Sequence, residues 1–145
     1  MALLSACSAP AGPAPAASVL SSPRAESAAP TPGAAGFVAN GSARQNLPAF
    51  RAVTEHVWAS ASRGEGRAYI DALVKAGFEK RAMQVTEDRS TVGNAAESIQ
   101  FSVRWKDGQC LIGQVGPATG DPVTVVMGGL PGGKCLIGKT RPIDW

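Results

Sequence analysis

The chain has 145 residues but only one histidine, one tyrosine and three cysteines, and 17% of its residues are charged. A single His removes most multi-histidine metal and catalytic schemes. No Cys-x-x-Cys spacing occurs, which leaves little basis for structural zinc or thioredoxin-type redox chemistry. No run approaches the roughly 20 apolar residues of a membrane span. Lys and Arg number 14 against 11 Asp and Glu, a net charge of +3. With no long basic run, that surplus argues against nucleic acid as a partner. A Gly-x-Ser-x-Gly nucleophile elbow is also missing. No cofactor and no metal are expected.

Small residues and turn-formers are abundant instead, with 17 Gly and 11 Pro. They concentrate near the N-terminus: 29 of the 38 residues 8–45 are Ala, Pro, Ser, Gly or Thr. Such a stretch has too little to bury to offset its ordering entropy, and it reads as a disordered linker. Asn40-Gly41-Ser42 fits a glycosylation acceptor by pattern and is taken as a chance match. Ahead of the linker, Leu4-Ser5-Ala6-Cys7 resembles the lipobox of bacterial lipoproteins, in which the cysteine carries a diacylglycerol. Only six residues precede Cys7, fewer than a basic n-region and roughly 7–15 apolar residues require. Residues 1–7 are therefore read as the remnant of a lipoprotein signal peptide with Cys7 as the lipidation site. An ordinary cysteine in a tail is the alternative.

The other two cysteines lie in nearly identical heptapeptides, Gly108-Gln-Cys-Leu-Ile-Gly-Gln114 and Gly133-Lys-Cys-Leu-Ile-Gly-Lys139. Twin strands with cysteine in the same phase suit a Cys110–Cys135 disulfide, which supports export to an oxidising compartment. Two buried free thiols in a reducing interior are the alternative.

Composition changes at Asn46, where a single domain over 46–145 is expected to begin. Asn46 can cap a helix with Pro48 near its first turn. Phe50, Val53, Val57 and Ala61 then recur at helical spacing, with Trp58 beside that stripe. A second helix over 67–76 turns Ile70, Leu73 and Val74 inward and ends at Gly77, with Phe78 closing the cap. A short strand follows over 82–86. Residues 98–105 alternate strictly, with Ile99, Phe101, Val103 and Trp105 on the buried face. Asp107-Gly108 suggests a two-residue hairpin turn. That turn places Cys110 and Ile112 on the buried face and leaves Gln114 opposite Phe101 as a misfit. Further strands are expected over 123–127 and 135–138, the last with Cys135 and Ile137 inward. Helices followed by strands indicate an α+β fold. The expected architecture is an N-terminal helical hairpin packed on one face of a mainly antiparallel sheet of about four to five strands, with one disulfide.

Phe78-Glu-Lys-Arg-Ala-Met-Gln-Val-Thr86, Ser98-Ile-Gln-Phe-Ser-Val-Arg-Trp105, Cys110-Leu-Ile-Gly113 and Thr140-Arg-Pro-Ile-Asp-Trp145 together resemble an uncharacterised family. Its members are small actinobacterial lipoproteins carrying a domain of unknown function. The resemblance implies a protein tethered to the outer face of the cell membrane, and it implies no activity.

Candidate chemistry is sparse. His56 beside the helical stripe reads as a surface residue. A cell-wall-modifying enzyme would need a thiolate from Cys110 or Cys135, His56 as its partner and Arg104 or Arg141 for an oxyanion. A disulfide would silence both thiols. Glu79, Glu87, Asp88 and Glu97 supply carboxylates for a glycosidase pair, yet nothing selects two of them. The polar loop over 89–94 offers a surface without distinctive chemistry. Arg141, Asp144 and Trp145 form the candidate ligand patch, because Trp stacks on sugar rings and Arg reads carboxylates. Ile143 and Trp145 folding back onto the core is the competing reading. The function expected is that of a non-catalytic binding or accessory domain in the cell envelope. Its partners would be the membrane, through Cys7, and a cell-wall or envelope-protein ligand.

Overall fold

The computed structural model describes Gly12 and residues 36–145. Cys7, the lipobox around it and most of the linker lie outside the described residues. Helices α1 (Ala43–Trp58) and α2 (Gly66–Ala76) precede strands β1 (Met83–Val85), β2 (Ile99–Arg104), β3 (Gln109–Val115) and β4 (Val123–Gly128). The strands form one antiparallel sheet in the order β1-β2-β3-β4. Both helices pack on one face of it, so the α+β reading holds.

Helix α1 starts three residues earlier than composition suggests. Ser42 caps it in a reciprocal box: its Oγ accepts from Gln45 N at 3.2 Å, and Gln45 Oε1 accepts from Ser42 N at 2.8 Å. Asn46 is buried inside the first turns. There it donates to the Val38 and Ser42 carbonyls and accepts from Val38 N at 2.8 Å. Pro48 lies within the helix, where it removes the N–H that would reach the Arg44 carbonyl.

Residues 36–42, read as linker, are anchored to the domain, with Phe37, Gly41 and Ser42 partly buried. The Phe37 ring meets Phe78 at 4.9 Å and Trp105 at 5.8 Å. Trp105 Nε1 donates to the Gly41 carbonyl at 2.7 Å. The Phe37 ring and hydrogen bonds from Asn46, Trp105 and Lys106 together tie this segment down.

The core lies between helices and sheet. Phe50, Tyr69, Ile70, Leu73, Phe101 and Leu111 are its large, fully buried members. Tyr69 stacks on Phe101 at 4.6 Å between centroids. Val74, expected inward, is 38% exposed, and Tyr69 takes the inward place. Helix α2 ends as the sequence suggests: Gly77 adopts φ +112°, and Phe78 N donates to the Leu73 carbonyl at 3.0 Å.

The β2–β3 hairpin corrects the expected register by one residue. Trp105 N donates to the Gln109 carbonyl, and Arg104 pairs with Cys110 across a three-residue loop in which Gly108 takes φ +76°. Asp107 Oδ1 accepts from Gln109 N and favours this loop. A slip of one residue exchanges the faces of a strand. Leu111 and Val115 therefore enter the core, while Cys110 and Ile112 turn to the outer face. Gly113 now sits opposite Phe101, and Gln114 pairs with Gln100, which removes the misfit.

Residues 135–138 form no strand. They cross the outer face of the sheet, held by the Cys110–Cys135 disulfide and by Gln84 Oε1, which accepts from Cys135 N at 2.6 Å and Leu136 N at 3.3 Å. Cys135 and Leu136 are buried against the sheet, whereas Ile137, expected inward, is 84% exposed. A side-chain amide thus replaces the backbone ladder that a strand would have used.

Candidate functional site

The C-terminal segment returns from the outer face around the β1 edge to α2. Arg141 N donates to the Val85 carbonyl at 2.9 Å, an isolated bridge that covers the β1 edge. Arg141 Nη2 then pairs with Asp88 Oδ2 at 3.0 Å, both side chains about three-quarters buried. The other Asp88 oxygen accepts from Gly66 N at 2.7 Å. Glu65, which precedes α2, makes no side-chain capping bond, so Asp88 caps that helix from 22 residues away. Gly66 is required at this crossing, because a Cβ there would meet Val85 Cγ2 at 2.7 Å and Asp88 Oδ1 at 2.8 Å.

Trp145 closes the segment. Its Nε1 donates to Asp71 Oδ1 at 2.8 Å, while Asp71 Oδ2 holds Arg67 Nε at 3.3 Å. The cationic groups of Arg67, Lys80 and Arg141 stand 5.3, 5.6 and 5.3 Å from its ring centroid. Trp145 and Ile143 are half-buried against the core cluster. Arg141 and Trp145 of the expected ligand patch are thus brought together, in a seam that fastens the C-terminal segment. Asp144 is exposed and forms no ion pair among the described residues. Arg141 Nε is buried with no hydrogen-bond partner among the described residues.

Sequence reasoning missed the carboxylates that organise this seam. Asp88 stood only among the carboxylates open to a glycosidase pair, and only the fold brings it to the start of α2. Asp71 carried a readable signal, since Arg67 and Asp71 are four apart on one helix.

A second feature is an open groove of about 810 Å³ along the helical hairpin. Ala49, Ala52, Val53, Ala68 and Ala72 line it, with His56 and Lys75 at its rim. His56 is exposed. Cys110 lies on the opposite side of the sheet from the helices and is tied to Cys135. The thiol and imidazole of the Cys-His-Arg scheme are therefore not brought together. Arg104 is on the outer face, its guanidinium against Gly133, and Arg141 is engaged by Asp88.

Among the described residues no group of three or more His, Cys, Asp or Glu is placed to hold a metal ion. No described helix is long and apolar enough to cross a membrane. No curated protein and no solved structure matches the chain. Residues 54–139, from the last five residues of α1 to just beyond the disulfide, match the family model described as a domain of unknown function, DUF6993, and the chain belongs to that family.

Proposed function

We propose that this is an actinobacterial lipoprotein, held at the outer face of the cell membrane through Cys7, whose folded domain is a non-catalytic binding or accessory module of the cell envelope. The observation that carries this reading is the Cys110–Cys135 disulfide. It staples Cys135 and Leu136 to the outer face of the sheet, and such bonds persist in oxidising compartments outside the cytoplasm. Leu4-Ser5-Ala6-Cys7 supplies a lipidation motif, and the Ala/Pro/Ser-rich composition behind it suits a tether. A thiol-based enzyme draws no support, because both domain cysteines are consumed in the disulfide and His56 stands across the sheet from them.

The test is fractionation of an actinobacterial host that expresses the gene with its upstream sequence. The protein should pellet with membranes, dissolve in detergent, and become soluble when Cys7→Ser removes the acceptor thiol. A protein recovered from the cytosol regardless of residue 7 would sink the proposal.

A further inference from the structure

The two edges of the sheet are treated differently. Arg141 bridges the β1 edge, whereas β4 pairs only with β3 and has no neighbour on its other side among the described residues. Gly129 N donates to the Gly108 carbonyl across the β3–β4 ladder. By antiparallel alternation, Val123, Val125 and Met127 turn their backbone groups to β3. Thr124, Val126 and Gly128 therefore direct theirs outward, unpaired with backbone elsewhere in the described residues.

Edge strands of stable monomers are protected by charges, prolines, bulges or a cover. Strand β4, Val-Thr-Val-Val-Met-Gly, carries no charge and no proline, and its register with β3 runs without a bulge. Val123, Val125 and Met127 are 46%, 36% and 57% exposed on the outer face. Arg51 bonds Thr124 Oγ1 at 3.1 Å, but from the helix face, away from that row.

We infer that β4 pairs with β4 of a second copy of this chain, making an antiparallel dimer with one continuous sheet. The strand can pair with itself about a two-fold axis, because its outward backbone groups and its uncharged side chains match their own antiparallel copy. With Val125 on the two-fold axis, Thr124 and Val126 exchange backbone hydrogen bonds with Val126 and Thr124 of the second copy. In the same register Val123 faces Met127, Val125 faces Val125, and no charged pair results. The open row becomes one apolar strip shared by both copies. Because Arg141 covers β1, assembly stops at two. A single six-residue edge falls short of the roughly 800 Å² per partner of a stable interface. A fast dimer with Kd of about 10–100 µM is expected.

The test is sedimentation equilibrium of the full, disulfide-intact chain from about 5 µM to about 1 mM. Wild type should move from monomer to dimer without larger species. Val125→Lys and Val125→Glu each place like charges across the axis and should raise Kd about tenfold or more. An equimolar mixture of the two variants should recover the dimer, which a folding defect would not allow. Val92→Lys, at a residue 79% exposed in a distant loop, should leave Kd unchanged. A monomer at every concentration overturns the inference, as does a dimer indifferent to both Val125 variants or growth beyond two. A monomer that binds phosphatidylglycerol vesicles through Val125 would assign the row to a lipid surface and also overturn it.

Discussion

Gly113 shows how one missing side chain fixes the core. An added Cβ would press on Cε2 and Cζ of Phe101, whose ring stacks on Tyr69. Gly113→Ala should therefore destabilise the domain by about 1–3 kcal/mol, read from urea unfolding, as overpacked cores do. Tyr69 gives a pH signature. Burial pushes its pKa from 10.0 to about 12, and Arg63 opposes this weakly. Its OH donates to the Arg63 carbonyl at 2.8 Å. The folded state thus favours the neutral phenol. That contribution is complete below pH 10 and is lost as pH rises through 10 toward about 12. Unfolding free energy measured at about pH 8 and about pH 11 should fall more for wild type than for Tyr69→Phe. Asp88 acts through two partners, so Asp88→Ala should lower stability by about 1–2 kcal/mol. Asp88→Asn, which keeps an acceptor for Gly66 N, should cost less.

The elements were legible where periodicity was strong and misread where a local side chain decided the geometry. Helix α2 with its Gly77 cap and strand β2 stand within a residue of their expected bounds, because each carries a full apolar pattern with a clear terminator. The start of α1 was missed because Ser42 and Gln45 form a capping box inside a stretch that composition marked as linker. The β2–β3 register slipped because Asp107-Gly108 fits both a two-residue and a three-residue loop, and the Asp107 bond to Gln109 selects the latter. Residues 135–138 shared their sequence with β3 but found Gln84 instead of a strand neighbour. Their attachment depends on the disulfide, which closes a loop over a separation of 25 residues. Cys110→Ser with Cys135→Ser should remove about 3–4 kcal/mol on loop-entropy grounds. Cys135 and Leu136 amides should then gain the fastest new hydrogen exchange, because they leave the sheet first. Uniform acceleration across the domain would contradict that order.

At the scale of the whole molecule, the candidate ligand patch was legible as residue types but not as a role. Arg141 and Trp145 do meet, yet Asp88 from the loop after β1 and the Arg67–Asp71 pair from α2 turn the meeting into a fastening. Among the described residues, the alanine-lined groove on the helical side and the apolar β4 edge stay open to solvent.

The proposed protein is an exported, lipid-anchored chain that carries a disulfide-closed domain. Intact mass tests it most directly, on protein from an actinobacterial host expressing the upstream-extended gene, before and after reduction with alkylation. The predicted mass begins at Cys7 with added lipid, and two alkylation sites appear only after reduction. An unmodified Met1 with three thiols alkylated before reduction would contradict the account.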